Sequence, residues 1–431
     1  VTWDFSTDAD FQVQLDWMQD FVRNEVEPLD LVLGSPYDVK SAAHVKLVNP
    51  LKAQVKARGL WACHLGADLG GRGFGQVKLA LMNEIIGRSR FGPIVFGCQA
   101  PDSGNAEILA RFGTAEQKTR YLQPLLDGEI VSCFSMTEPQ GGSDPMVFTT
   151  TSTQEGTDWV INGEKWYSTN AKFADFFIVM TVTDAAASPH SRMSMMIVPA
   201  DTPGIEIVRN VGNISEAEGT HAYIRFKDVR VPGDHLLGGR GEAFAVAQMR
   251  LGGGRIHHAM RTLGEARKAF DMMCERVLSR STQGSLLADK QMVQEKIADS
   301  WIEIEQFRLL VLRTAWLIDR HNDYRLVRKD IAAVKAAMPK VLHDVASRAL
   351  HLHGSLGLSD EMPFARQVIA SYYLALADGP TEVHKVTVAK QVLRGYSPAA
   401  DPFPAYHLIE AKQRAMEKYG EALAGIEDLI Q

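Results

Sequence analysis

Three short segments of the 431-residue chain bring together residue types that could do chemistry. One reads Leu376–Ala377–Asp378–Gly379–Pro380–Thr381–Glu382–Val383–His384. An aspartate ahead of Gly-Pro, at the head of an amphipathic stretch, is by type a helix cap with proline in the first turn. The same carboxylate in an apolar neighbourhood is a general base, because burial raises its pKa. A second segment reads Phe134–Ser135–Met136–Thr137–Glu138–Pro139–Gln140–Gly141–Gly142–Ser143–Asp144. A strand ending this way exposes hydroxyls and backbone N–H groups around a turn, which can bond a heteroaromatic ring edge or a pyrophosphate. By itself it reads first as a β-turn with an Asx-type residue. The third, Lys165–Trp166–Tyr167–Ser168–Thr169–Asn170, interleaves aromatics with hydroxyls and suits either a flat ring or a half-buried strand.

The elements that must position these segments differ in texture along the chain. From Phe11 to about Asp127 apolar residues recur at helical spacing, as in Phe11, Leu15, Met18, Phe21 and Val22. Further helices are expected over Lys46–Lys56, Val77–Arg88, Asn105–Phe112 and Ala115–Leu125, broken by Gly70–Gly73 and a Phe91–Gly92–Pro93 turn. Between Val131 and Gly238 the chain turns to β-branched and aromatic residues with period-two alternation. Thr157–Asp158 and Asn162–Gly163 read as turns between short strands, and the span suits a small barrel or sandwich. Helical pattern returns at about Ala243–Thr282, Asp289–His321, Asp330–Leu352, Ala365–Leu376 and Thr381–Arg394, long enough to pack as a bundle. A proline-rich hinge, Ser397–Pro404, leads to a last amphipathic helix up to Gln431.

The expected fold is therefore α+β and multidomain. It comprises an N-terminal helical domain (1–130), a middle β-barrel or sandwich domain (131–240), a C-terminal four-helix bundle (241–395) and a tail helix (396–431).

Several function classes fall away on the sequence. An apolar share of 45% with 23% charged residues is ordinary for a soluble globular protein. A net charge of −6 argues against a nucleic-acid binder. No apolar run is long enough to cross a bilayer, and the acidic first ten residues lack a signal-type core, so a cytoplasmic, bacterial protein is expected. Cys63, Cys98, Cys133 and Cys274 lie far apart in sequence beside apolar residues and read as buried free thiols. Walker, GxGxxG and GxSxG patterns are absent, and the Leu251–Gly254 run lacks the strand and spacing of a dinucleotide fingerprint. His257, His258, His351 and His353 have no HExxH or cysteine partners, so no metal is expected.

Taken together the segments resemble the acyl-CoA dehydrogenase family over nearly the whole chain, from about Phe11 to Arg394. "MTEPQGGSD" looks like the family's TEP-GxGSD flavin turn, and "WYSTN" like its W-[IS]-T-N strand. "SRSTQGSLLADKQ" is similar to its arginine-led segment, "HLHGSLGLS" to its Q-x-x-G-G-x-G loop, and "ADGPTEVH" to its YEGTSQIQ motif. The wording is closest to the subfamily typified by family members ten and eleven, on "CQAPDSGN", "GRIHHAMRTLGEA" and "LADGPTEVH".

The resemblance implies FAD as cofactor. Phe134, Thr137, Gly142 and Ser143 would line the flavin, with Tyr167 and Thr169 against its ring. Arg280, Gln283, Gln291 and the loop His351–Ser355, including Gly354, would reach the diphosphate and adenine end in a neighbouring subunit. Pro380 and Glu382 would cover another part of the FAD, while Arg255 and Ser143 would help hold an acyl-CoA. A homodimer or homotetramer follows, because each cofactor is shared. Asp378 stands where the family carries the base that takes the substrate α-proton, Gly254 where some relatives place it instead. The implied reaction is dehydrogenation of a fatty acyl-CoA to the trans-2-enoyl thioester in β-oxidation, the electrons passing to an electron-transfer flavoprotein. Departures from the pattern are Asp378 for Glu, Tyr167 for Trp, Gln283 for Phe and Ser355 for Gly. The competing readings are a flavin oxidase on the same scaffold, acyl-CoA or nitroalkane oxidase-like, and a flavin-bearing DNA-associated protein.

Overall fold

In the computed structural model, residues 5–213, 216–399, 402–404 and 406–430 are described. Ala400 and Asp401 of the expected hinge, and Gln431 at the end of the tail, lie outside them. Two compact units result, Val1–Val386 and Thr387–Gln431.

The first unit opens with nine helices among the described residues: α1 (Ala9–Phe21), α2 (Leu29–Val32), α3 (Ala42–Leu47), α4 (Asn49–Ala57), α5 (Gly75–Ile86), α6 (Gly92–Val95), α7 (Asp102–Phe112), α8 (Ala115–Gln117) and α9 (Gln123–Asp127). Asp8 caps α1 by accepting the Phe11 N–H at 2.9 Å, and the helix buries the stripe Phe11, Leu15, Met18 and Phe21. The helix expected over Lys46–Lys56 divides at Val48, since Pro50 in the first turn of α4 has no N–H to continue α3. The expected Phe91–Gly92–Pro93 turn is instead the head of the one-turn helix α6, with proline at its start.

The strands follow: β1 (Ser132–Ser135), β2 (Thr151–Glu155), β3 (Asp158–Thr169), β4 (Phe176–Val182), β5 (Met193–Pro199), β6 (Ile205–Asn213), β7 (Glu216–Pro232) and β8 (Leu236–Leu237). They form one sheet in the order β6-β7-β3-β2-β4-β5-β8, with β1 paired parallel to β4. β2 meets β4 only at Thr151 and Val182, so the sheet folds there into two halves. Their facing sides bury Cys133, Trp159, Ile161, Phe177, Val179, Met196, Ile224 and Phe226. Alternate residues of β4 (Phe176, Ile178, Met180) enter a second core against α7 and α9. Burial on both faces explains the continuous apolar run of β4. Asn162–Gly163 is not a turn. It lies inside β3 at a bulge, where a Cβ on Gly163 would sit 2.5 Å from the Thr150 hydroxyl.

Helices α10 (Ala243–Ser279), α11 (Gln291–His321), α12 (Arg328–His353), α13 (Ser355–Leu358), α14 (Phe364–Leu376) and α15 (Thr381–Leu393) come next, with a short hairpin of β9 (Ser281–Thr282) and β10 (Ser285–Leu286) after α10. Helices α10, α11, α12 and α14 pack together as the bundle. The N-terminal helices have no core of their own. Met18, Met82 and Phe96 join Met260, Val311 and Met338 in one cluster. Helices α5 and α10 cross so closely that a Cβ on Gly264 would lie 2.2 Å from the Glu84 carbonyl oxygen. Cys63, Cys98 and Cys133 are buried free thiols as expected, while Cys274 is only half-buried. No described helix is long and apolar enough to cross a membrane. The second unit contains α16 (Leu408–Ile430), whose Leu408, Ile409 and Tyr419 are exposed.

One buried ion pair fixes the turn after β1. Lys165 of β3 is fully buried, and Glu138 is 2% exposed. Lys165 Nζ donates to Glu138 Oε1 at 2.9 Å and to the Met136 carbonyl at 2.8 Å. Glu138 also accepts the N–H groups of Thr149 (2.7 Å) and Thr150 (3.0 Å). The Trp166 N–H meets the Thr137 carbonyl at 2.9 Å. Burial pushes the Glu138 carboxyl up, but the Lys165 charge and the Thr149 N–H outweigh it and hold it at about 2. Because the folded value is depressed, this contribution to stability is full above the unfolded value of 4.5 and is lost as pH falls through about 2. Lys165→Met leaves an uncompensated carboxylate and is expected to cost about 3–5 kcal/mol in urea unfolding at neutral pH. The double variant Glu138→Gln/Lys165→Met, with no buried charge, loses less. A single-variant cost below about 1 kcal/mol would refute the staple.

Candidate active site

Three consecutive glycines in the first third of α10 make room for three side chains from other elements. A Cβ on Gly252 would lie 3.0 Å from the Tyr324 ring, one on Gly253 2.9 Å from Glu107 Oε2, and one on Gly254 2.9 Å from Asp378 Oδ2. The glycine run lies inside α10, and its use is steric.

Asp378 sits in the reversal between α14 and α15. Its φ is +55° and that of Gly379 is +104°, both left-handed. The reversal is tethered from three helices. Lys335 Nζ of α12 donates to the Leu374 carbonyl at 2.6 Å. Arg255 Nε of α10 donates to the Asp378 carbonyl at 2.9 Å, and His384 Nε2 of α15 reaches the same oxygen at 3.2 Å. Among the described residues, the Asp378 carboxylate accepts from no N–H of α15. It points back at α10, with Oδ2 3.7 Å from His258 Nε2 and the side chain 16% exposed.

The expectation of an apolar neighbourhood and a raised pKa is overturned. Burial does push the Asp378 carboxyl up, but His258, Arg250, Arg255 and Lys335 together outweigh it and leave it below the usual 3.8. His258 is neutral near pH 7, since burial drops it to about 4, so the two guanidiniums and Lys335 do the holding there. Burial also lowers Lys335, to about 8. Glu107 behaves oppositely, because burial lifts its carboxyl to about 7 against the pull of Arg111 and Arg250.

Arg250 joins this region to β1. Its guanidinium lies 3.9 Å from the centre of the Phe134 ring, and its Nε donates to Asn105 Oδ1 at 2.8 Å. Gly142 lies against Thr137, with a Cβ there 3.2 Å from Thr137 Cγ2, and Ser143 is exposed beside it. In β3 the pairing with β7 is irregular between Lys165 and Ser168, and Tyr167 has φ +59°. The bulge re-aims Tyr167 so that its ring stacks on His221 at 4.1 Å and 15°. Thr169 stands across from His221, and Thr169 Oγ1 and His221 Nδ1 share a hydrogen bond of 3.0 Å. Asn170 is fully buried, and neither polar atom of its carboxamide has a partner among the described residues.

The remaining sequence-derived residues gather elsewhere. Arg280, at the end of α10, lies against the loop after α12, with Nη1 3.4 Å from a Cβ built on Gly354. His351 and Ser355 flank that glycine, Gln283 (φ +49°) forms the β9–β10 turn, and Gln291 begins α11. Arg255 and Arg280 share one helix, and 25 residues of α-helix span about 37 Å. Within one chain, then, the Arg280 corner is no part of the Asp378 site. Pro380 is half-buried and Glu382 exposed at the head of α15. Sequence reasoning weighed His258 only against a metal role, and missed Arg250, Lys335, Glu107, Tyr324 and His221. Lys335 leaves a trace, a charge within the buried stripe Ile331, Val334, Lys335 and Met338 of α12. The contacts of the others run across chain distances that no local pattern records.

Comparison with known proteins accords with this arrangement. The N-terminal, middle and C-terminal domain models of acyl-CoA dehydrogenase match residues 10–129, 133–229 and 241–393. The Mycobacterium tuberculosis protein named Probable acyl-CoA dehydrogenase FadE2 is 43% identical over 80% of this chain and 86% of its own length. Mouse Acyl-CoA dehydrogenase family member 10 is 41% identical over 83% of this chain, which spans only 34% of that longer protein. Among solved structures, butyryl-CoA dehydrogenase from Megasphaera elsdenii superposes with a TM-score of 0.77 at 26% identity, over 91% of this chain and all of that one. With all three domain models in order along one fold, the chain belongs to the acyl-CoA dehydrogenase family.

Proposed function

We propose that this chain is an FAD-dependent dehydrogenase that converts an acyl-CoA thioester to its trans-2-enoyl form, with Asp378 taking the α-proton. The observation that carries the reading is the Asp378 carboxylate, withdrawn from water yet held ionised by fixed cations and aimed at space cleared by Gly254. Aspartate is shorter than the family's glutamate by one C–C bond, about 1.5 Å. A left-handed backbone turned toward α10, with no side chain at residue 254, fits that shorter reach. The Asp378 N–H bonds no other group among the described residues and so can donate to the thioester carbonyl, acidifying the α-C–H.

The residues fit FAD. A buried, unpartnered Asn170 carboxamide lies beside the hydroxyls and stacked rings of β3, and Gly142 keeps Thr137 open to a close neighbour. Phe134, Thr137, Gly142, Ser143, Tyr167 and Thr169 would hold the flavin end, and Pro380 and Glu382 would cover part of it. Arg280, Gln283, Gln291, His351, Gly354 and Ser355 would grip the diphosphate and adenine end of the cofactor of a second copy. The distance along α10 supports this sharing, and with it a homodimer or a dimer of dimers. When bound, FAD supplies the acceptor of the β-hydride. Arg255 and Ser143 would hold the acyl-CoA, and an electron-transfer flavoprotein would take the electrons.

Anaerobic titration of the FAD-loaded protein with acyl-CoAs of graded length should bleach the flavin absorbance, and bleaching by none would end the proposal. Asp378→Asn should bind FAD normally yet slow bleaching by at least about a hundredfold. Retained bleaching would reassign the base. Hydrogen peroxide formed stoichiometrically with product in air would mark an oxidase instead. Because Asp378 lies below the ordinary carboxylate value, kcat/KM should keep its base ionised from about pH 8 down to about pH 5. An acid limb centred near pH 6 and absent from the asparagine variant's residual rate would contradict the ionised-base reading.

A further inference from the structure

We infer that His221 is a positioning residue for the flavin, setting through Thr169 whether the hydroxyl facing the bound ring donates or accepts a hydrogen bond. This rests on the proposed FAD site. Three observations carry it. Thr169 Oγ1 and His221 Nδ1 are 3.0 Å apart, as cross-strand partners of β3 and β7. The imidazole is held in place, 4% exposed, stacked on Tyr167 at 4.1 Å and with the Tyr373 ring 5.7 Å away on α14. Burial lowers its pKa to about 4, so near neutrality the ring is uncharged, with one nitrogen a donor and the other an acceptor.

A threonine hydroxyl has one proton to give. If it gives that proton to Nδ1, it can only accept from a bound ring. If Nδ1 carries the hydrogen and donates to Thr169, the hydroxyl proton is free for an acceptor on the ring. A flavin needs both arrangements, since its hydride-accepting nitrogen accepts a hydrogen bond when oxidised and bears a hydrogen when reduced. The imidazole can serve either by changing which nitrogen carries its proton. The Thr169 hydroxyl keeps a partner in both flavin states.

The experiment is a dye-coupled reductive titration of the FAD-loaded protein, reading the visible spectrum and the ratio of oxidised to reduced flavin at a fixed poise. His221→Leu preserves bulk but cannot accept the threonine proton. It should raise the oxidised-to-reduced ratio by about three- to tenfold, with a shifted flavin band. In a Thr169→Val background the same change should do nothing. His221→Asn places an amide where Nδ1 stood and should restore the wild-type ratio at least in part. His221→Gln, whose amide reaches the Nε2 position, should not. The Asn and Gln pair keeps the test decisive if the leucine variant fails to fold. Flavin uptake with an unchanged ratio and spectrum in the Gln variant, and in the Leu variant where it folds, would overturn the role of His221 alone. Failure of the wild-type chain to take up FAD would sink the site and this inference together.

Discussion

A carboxylate withdrawn from bulk water stays ionised only if fixed positive charge replaces the water it has lost. The arrangement around Asp378 answers that constraint. Two arginines come from α10 and a lysine from α12, and the chain reverses between α14 and α15 to bring the aspartate to them. The same cations hold the backbone, since Arg255 bonds the Asp378 carbonyl and Lys335 the end of α14. Charge and shape therefore share one set of side chains. Loss of Arg255 or Lys335 would move the carboxylate as well as change its proton affinity.

The other half of the site answers a similar constraint by different means. The turn after β1 is short of apolar residues to bury and is fixed instead by the Glu138–Lys165 pair beneath it. Arg250, stacked on Phe134 and felt by Asp378, spans the gap between β1 and the bundle. Neither half could drift without disturbing that guanidinium.

Much of this was legible locally. The 3.6 period and the punctuation by glycine and proline give the bundle helices to within a few residues, because helix hydrogen bonds are themselves local. Tyr167, Thr169 and the Thr137 turn are brought together as their motifs suggest, since β3 follows β1 closely in the chain. What failed had two causes. A glycine serving close approach looks in sequence like one serving a turn, hence the misplaced Asn162–Gly163 turn inside β3. And the electrostatics of Asp378 depend on residues from distant helices, so its local segment suggested a cap or a carboxyl raised by burial when the folded neighbourhood is cationic.

The glycine run of α10 has a mechanical side. Each interior glycine weakens a helix by about 1 kcal/mol relative to alanine, so residues 252–254 are a soft joint in a 37-residue rod. Over these three residues, in its first third, the rod offers no side chain of its own to fix its phase. Arg250, keyed into Asn105 on one side, and Arg255, keyed into the Asp378 carbonyl on the other, are the teeth that set its phase. A helix that gives up side chains to make room takes its local phase there from the charged residues on either side, with core packing fixing the rest.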